Sequence, residues 1–332
     1  MNKIVLCGSM LVDSIKMIES WPDKGMLVPV TSISRAVGGA VCNSGIDLKT
    51  LDPSIEVKAI GKVGNDDNGD FVVDTLAKHG LDVTGIMRAQ EVPTSFTDVM
   101  TIKSTGERTF FNMHGADSQL VPDDIDPAKL DCDIFHFGYL LLLDGMDAID
   151  EEYGSAAARL LAKVRAAGIK TSIDIVSEQS ERFARVVRPA LKYCDYVVIN
   201  EIEGSLATGV DKSNQRGILE ELFNLGVAEK AVVHCPECGA SLDRAGNFAC
   251  VPSLPLPEGW IKGSVGAGDA FCAGMLYSFL KEMNAEDALT LAAAAAACNL
   301  ARPDSISGAK SFAETMDLAM NLRGGSSRAK AN

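Results

Sequence analysis

Basic residues are in short supply in this chain. Lysine and arginine number 31 against 45 aspartates and glutamates, the formal net charge is −14, and there are only four histidines. A nucleic-acid partner needs basic patches that neutralise phosphates, so none is expected. A small anionic ligand is still allowed, because local backbone dipoles act independently of net charge. No run of about 18 apolar residues exists, so no membrane association through a spanning helix is expected. The longest small apolar run, Ala292 to Ala297, is alanine and fits a buried helix. Met1 to Gly8 is strand-like and too short for a signal peptide. The nine cysteines are scattered and odd in number, as expected for reduced thiols in a cytoplasmic protein. Cys235-Pro236-Glu237-Cys238 has the spacing of half a zinc site or a redox pair. No second pair and no histidine follows at ligand spacing, so these residues are expected to be ordinary small residues of a strand and turn. Internal repeats, low-complexity linkers and a Walker-type phosphate loop are also missing.

What is present is alternation. Apolar segments that read as strands (Ile4–Cys7, Val57–Val63, Ile134–Phe137, Lys170–Ile175, Tyr196–Ile199, Ala231–His234) are separated by helical patterns. Those helices are Ala40–Leu51, Gly69–His79, Gly154–Ala167, Arg182–Leu191 and Arg216–Leu225, with two long ones near 267–282 and 285–301. This order predicts an α/β fold with a mostly parallel sheet covered on both faces, and ligands beyond the carboxyl ends of its strands. Residues 14–36 and 93–113 interrupt the alternation with period-two segments, and the second turns at Ser104-Thr105-Gly106-Glu107 like a hairpin. They are expected to form a small sheet that lies over a site or pairs with a second subunit. The division expected is therefore 1–13, 37–92 and 114–323 for the main domain, 14–36 and 93–113 for a discontinuous lid, and 324–332 for a flexible tail.

The segment Gly263-Ser264-Val265-Gly266-Ala267-Gly268-Asp269 precedes an apolar helix pattern. Small residues at a helix start let N–H groups converge on an anion, and the helix dipole favours one there. Asp269 beside that anion is badly placed for structure and well placed to take a proton from an attacking hydroxyl. The plainer reading is a glycine-rich helix cap.

Taken with Gly38-Gly39-Ala40-Val41-Cys42-Asn43, Gly61-Lys62-Val63-Gly64-Asn65-Asp66 and Asn200-Glu201-Ile202-Glu203, that segment resembles the ribokinase-like (PfkB-type) carbohydrate kinases over roughly residues 3–312. The resemblance implies a three-layer α/β/α fold with a twisted central sheet and a β lid. It also implies an ATP-dependent sugar kinase that phosphorylates a hydroxyl. Within it, Asp269 matches the general base, and Gly266, Ala267 and Gly268 the anion hole. Asp13 matches a substrate-binding acid at the end of the first strand. Gly38 and Gly39 would let the backbone approach the sugar, and Asn43 matches a sugar-contacting amide. Asn200 and Glu203 match a motif that places Mg²⁺ through water, although the same residues read equally as a helix cap. Asn200, His234, Gly239, Ser264, Gly266 and Gly268 form the expected nucleotide side.

The departures are informative. Gly263 stands where many relatives carry an aspartate that helps bind a monovalent cation, so that requirement stays open. His234 replaces a threonine and is either a phosphate donor or filler. Leu11 and Ala40 stand where ribokinases carry asparagine and lysine. A missing lysine points to an unphosphorylated sugar, as in fructokinases and ketodeoxygluconate kinases. Lid Arg108, and Arg35 less so, is the cation left to meet a carboxylate or phosphate. The alternatives are a nucleoside kinase, marked by Phe96, Phe110 or Phe111 stacking on a base, and a non-catalytic sugar sensor. A homodimer through the lid is the remaining expected partner.

Overall fold

In the computed structural model, which describes residues 2–178 and 180–329, the chain opens with β1 (Lys3–Gly8). Ile4 and Leu6 pack into one core and Val5 and Cys7 into another, so this strand is buried on both faces. Gly8 adopts φ 138° and the Ser9 amide donates to the Gly138 carbonyl at 2.8 Å, which turns the chain out of the sheet. β2 (Leu11–Ile18) and β3 (Val30–Gly38) then form a hairpin. Asp13 therefore sits on β2, within the small sheet, and not at the end of the first strand as the sequence suggested. That small sheet begins at Leu11 and extends to Gly38, slightly beyond the expected limits.

The chain returns through α1 (Ala40–Leu51), β4 (Glu56–Gly64), α2 (Asp67–Lys78) and β5 (Asp82–Ala89). α2 begins before Gly69 because the Asp66 carboxylate caps it, accepting from the Gly69 amide at 2.8 Å. β5 is absent from the sequence reading because it is an edge strand with no fully buried residue. β6 (Phe96–Ile102) and β7 (Arg108–Met113) form the anticipated second hairpin. Next come β8 (Ile134–Leu140), α3 (Asp144–Asp147), the short pair β9 (Ile149–Asp150) and β10 (Gly154–Ser155), α4 (Ala156–Ala166) and β11 (Lys170–Ile175). A π turn over Phe183–Val187 leads into α5 (Arg188–Leu191), followed by β12 (Tyr196–Asn200), α6 (Glu201–Thr208), α7 (Gln215–Asn224) and β13 (Lys230–His234). The hairpin β14 (Cys238–Asp243) and β15 (Phe248–Pro252) precedes α8 (Ala267–Leu280), α9 (Ala285–Leu300) and α10 (Phe312–Ala329). α10 runs past Gly324, where a tail was expected. Glycine lowers helix propensity by about 1 kcal/mol without forbidding the conformation. Residues 330–332 of that expected tail lie outside the described residues.

The main sheet has the order β15-β14-β13-β12-β11-β8-β1-β4-β5, parallel from β13 to β5, with β14 and β15 antiparallel at one edge. α1, α2, α8 and α9 bury apolar faces on one side of it, and α4 to α7 on the other. No helix among the described residues is long and apolar enough to cross a membrane. The small sheet, β3-β2-β6-β7, stands over the carboxyl end of β1. Its register puts Asp13, Thr97, Val99, Arg108 and Phe110 on one face and Phe96, Asp98 and Phe111 on the other. Trp21, Met26, Leu27, Ile33, Phe110 and Phe111 are all exposed on this sheet and its connections.

Candidate active site

Asp269 lies in the first turn of α8, after Gly266, whose φ of 79° suits glycine. A side chain at Gly266 would also run into Ser305, 2.6 Å away. The Asp269 carboxylate is buried, and both of its oxygens are engaged. Oδ2 accepts from Asn43 Nδ2 at 2.8 Å and Oδ1 accepts from the Tyr139 hydroxyl at 2.6 Å. Burial pushes the Asp269 carboxyl upward, and these two donors oppose the rise. Among the described residues no lysine or arginine pairs with it. The early N–H groups of α8 have no intrahelical acceptor, as at any helix start. The Ala267 amide makes one long bond, to the Ser264 carbonyl at 3.4 Å, so Gly268 is the more available member of the expected anion hole.

Asn43, expected to touch a sugar through its amide, instead spends Nδ2 on Asp269. Its Oδ1 is buried and has no hydrogen-bond partner. An orphaned acceptor of this kind is rare and calls for a donor. Asp13 supplies a second acceptor. Burial raises its carboxyl to about 6, with the Asp269 charge adding to the rise and Thr97 and Arg108 opposing it. Gly38 and Gly39 are required by packing. A Cβ at Gly38 would lie 2.7 Å from Asp13 Oδ2, and one at Gly39, with φ 90°, would lie 2.6 Å from the Ser9 carbonyl. Ser9 is in turn fixed by Asp117, which also takes a bond from Ser95 beside the lid strand β6.

Arg108 reaches across from the lid and donates to the Pro303 carbonyl at 2.8 Å. A Cβ at Gly263 would sit 3.1 Å from its Nη2. Gly263 thus faces a guanidinium. Arg35 is not part of the site, because its guanidinium lies over the Phe71 ring at 4.2 Å.

On the other side of Gly268 is a cleft of about 490 Å³, lined by Asn200, His234, Ser264, Leu254, Phe271 and Ala297 among others. His234 leans on Phe271 with centroids 4.5 Å apart, and burial lowers it to about 4, so the ring is neutral at pH 7. It is a packing residue of the cleft wall and supplies no cationic phosphate contact. Gly239 does not line the cleft. Its absent side chain makes room for Phe271 and Leu289 at 3.1 and 3.2 Å.

Asn200 and Glu203 form a capping box at the start of α6: Asn200 Oδ1 accepts from the Ile202 and Glu203 amides, and Glu203 Oε2 accepts from the Asn200 amide at 3.0 Å. Glu203 Oε1 is taken by Ser177 and by Asn200 Nδ2. One acceptor position of Oε2 remains, which suits a metal-bound water better than direct coordination. Burial lifts Glu203 to about 7, and Asp174 at the end of β11 is lifted well above its usual range by burial, Glu203 and Asp269. Asp174 thus senses the charges of both Glu203 and Asp269, no lysine or arginine among the described residues pairs with any of the three, and such a donor set fits magnesium held by ATP.

Tyr139, Asp174 and Asp117 were missed in the sequence. Asp174 had a signal, since it ends a strand correctly placed from sequence, where ligands of such sheets bind.

Comparison with known proteins gives the same outline. The model of the "pfkB family carbohydrate kinase" matches residues 1–311. Fructokinase-2 of Oryza sativa subsp. japonica is 26% identical over 85% of this chain and 81% of its own length. The 2-dehydro-3-deoxygluconokinase of Bacillus subtilis is 23% identical over 86% of each. Among solved structures, fructokinase from Xylella fastidiosa with bound ATP superposes with a TM-score of 0.77 at 21% identity, covering 96% of this chain and 98% of that one. A neighbour from E. coli solved with ATP and Mg²⁺ gives 0.76 at 22% identity, covering 97% of this chain and 100% of that one.

Proposed function

The chain belongs to the PfkB family of carbohydrate kinases and is a sugar kinase of ribokinase-like fold, and we propose that it transfers the γ-phosphoryl group of ATP to a hydroxyl of a small unphosphorylated sugar. The observation that carries this reading is the acceptor-rich pocket between lid and sheet. Asp13 and the unpartnered Asn43 Oδ1 ask for donors, and a polyol presents several on adjacent carbons.

In this reading the sugar hydroxyls donate to Asp13 and Asn43 Oδ1. The reacting hydroxyl displaces the Tyr139 phenol from Asp269 Oδ1, and Asp269 takes its proton as the oxygen attacks phosphorus. The Gly268 amide and the α8 dipole face the charge that gathers on the transferring group. Magnesium, which partly neutralises the phosphates when bound, would be held by Glu203 and Asn200 through water, with Asp174 behind them. The lid keeps water from the phosphoryl group. Arg108 holds the Pro303 carbonyl beside Gly263, so a monovalent cation is not required there. The absence of a lysine at buried Ala40 favours a neutral hexose or a sugar acid over a sugar phosphate, with Arg108 the cation available to a carboxylate. The exposed apolar residues of the lid support a homodimer through this sheet, which light scattering of the L27E and F111E variants tests.

Of the three lid phenylalanines that could stack on a base, Phe96 and Phe111 lie on the face away from Asp13, with Phe111 stacked on Trp21, so a nucleoside acceptor would have Phe110 alone, the one on the Asp13 face. A coupled ADP-release assay with Mg·ATP decides the matter across ketohexoses, pentoses, sugar acids, sugar phosphates and nucleosides. A sugar that turns over with the parent and not with Asp269→Asn is the expected result. Turnover of nucleosides alone refutes it. Sugar-dependent thermal stabilisation with no turnover of any compound would make the chain a sensor.

A further inference from the structure

The parallel register sets His136 of β8 beside Ser172 of β11. Side chains alternate along a strand, so Ser172 and Asp174 leave β11 on one face, and His136 joins them there. His136 Nδ1 lies 3.0 Å from the Ser172 hydroxyl. α8 covers this face and adds Cys272, whose Sγ is 3.8 Å from His136 Nε2. A ring nitrogen of His136, the Cys272 sulfur and an Asp174 oxygen all lie within 4.8 Å of one another, and all three residues are buried. Among the described residues this is the one group of three such ligands. The kinase reading gives His136 and Cys272 no task.

The set suits a transition metal. A nitrogen and a sulfur bound to one tetrahedral zinc ion, at about 2.05 and 2.3 Å, stand about 3.6 Å apart. That is close to the 3.8 Å between His136 Nε2 and Cys272 Sγ. Burial lowers His136 to about 3, so its ring is neutral. With the ring proton on Nδ1, donated to Ser172, Nε2 carries a lone pair toward the sulfur. Asp174 Oδ1 accepts from the Ile175 amide at 2.7 Å, which orients the carboxylate and leaves Oδ2 for a metal. Thiolate and carboxylate together match the two charges of a divalent ion, so the filled site is neutral overall, as burial requires. Nitrogen and sulfur donors select zinc or cobalt, whereas magnesium takes oxygen. Asp174 is the last but one residue of β11, at the edge of the active site, which gives an ion its way in.

We propose that His136, Cys272 and Asp174 form a zinc site, with water from the active-site side as the fourth ligand. The thiol and carboxyl protons leave as the sulfur and oxygen bind the metal, while His136 keeps its Nδ1 proton, so affinity rises with pH. Cys272 follows Asp269 by three residues on α8, which places the two on the same side of the helix. The ion therefore sits one helical turn from the proposed base and ties up Asp174. Zinc would then slow phosphoryl transfer. That consequence rests on the kinase reading, and the binding itself does not.

The test uses the full-length reduced protein in excess Mg²⁺ without sugar or ATP, so its outcome is independent of the kinase reading. Co²⁺ is titrated while sulfur-to-cobalt charge-transfer absorption is followed in the near ultraviolet, and Zn²⁺ is then added to displace it. The expected result is stoichiometric uptake with that absorption, lost again as Zn²⁺ enters. Replacing Cys235, Cys238 and Cys250 together by serine should leave the band in place. Cys272→Ala should abolish it and lower Zn²⁺ affinity by at least about 100-fold, beyond the range that outer-shell changes produce. Ser172→Ala keeps all three ligands and removes only the partner of His136 Nδ1. It should lower Zn²⁺ affinity by about 10- to 100-fold, and it decides the matter if Cys272→Ala does not fold. Absence of the cobalt band overturns the proposal. So does a band that survives Cys272→Ala or vanishes in the triple serine variant, and so does Zn²⁺ affinity that Ser172→Ala leaves unchanged.

Discussion

Around Asp269 the protein gathers carboxylates and an amide, whereas beyond Gly268 it lines the neighbouring cleft with leucine, phenylalanine and alanine. The two regions meet at one helix start yet recognise by different physics. The acceptor side carries buried oxygens that need donors, so a ligand lacking hydroxyls leaves unsatisfied groups and is rejected steeply. The cleft side presents apolar surface with polar groups only along its inner edge, so it selects by shape and tolerates small changes. On the proposed assignment, the strict selection is for the sugar and the lenient one for the nucleotide.

Substituting Asp269 by Asn tests this division most severely. Loss of the proton acceptor should lower kcat by about 10²- to 10⁴-fold, while calorimetry shows ATP still binding. A variant that keeps its rate removes Asp269 as the base. Next is Asp13→Asn, which should cost roughly 1–3 kcal/mol, or about 5- to 150-fold, in kcat/KM for the sugar. The KM for ATP should not move; if it does, the two sides are not separate. Acidification probes the same group. Asp13 must be ionised to accept from hydroxyls, and its carboxyl is raised to about 6, so kcat/KM should fall as pH drops through about 6. An acid limb near 4, the ordinary carboxylate range, would show that Asp13 does not govern binding.

Tyr139→Phe is gentler. The phenol lowers the Asp269 pKa in the free enzyme and is displaced in the complex, so its removal should move the Asp269 limb of kcat/KM upward, leave that of kcat in place and leave thermal stability nearly unchanged. An unmoved limb would make Tyr139 a packing residue. The smallest expected effect is none. Exchanging potassium for choline should leave the rate as it was, because Arg108 already faces Gly263 and holds the Pro303 carbonyl. Potassium activation would reverse that assignment.

The six inner strands β1, β4, β8, β11, β12 and β13 and the lid hairpin on β6 and β7 were legible because period and turn chemistry are local, whereas β5, β14 and β15, toward the edges of the nine-stranded sheet, were not read. Asp269 was legible because its signal is seven consecutive residues. The shell around it was not. Asn43 and Tyr139 reach Asp269 across 226 and 130 residues of chain, and nothing near either one announces the contact. Gly38 and Gly39 were read as room for a sugar, yet they make room for Asp13 and Ser9. Asn200 and Glu203 carried two readings; the helix cap is realised, and it leaves magnesium one outer position. The misplacement of Asp13 has a single cause, the turn at Gly8, which no apolar pattern marks.

Asp13 rides on β2, in the same sheet as Arg108, so the residue proposed to grip the sugar belongs to the cover itself. Recognition and enclosure then become one event. A molecule that offers Asp13 no hydroxyl gives the cover nothing to close upon and leaves ATP beside open water with its acceptor absent. The kinase would in this way inspect its guest with the door and not with the room.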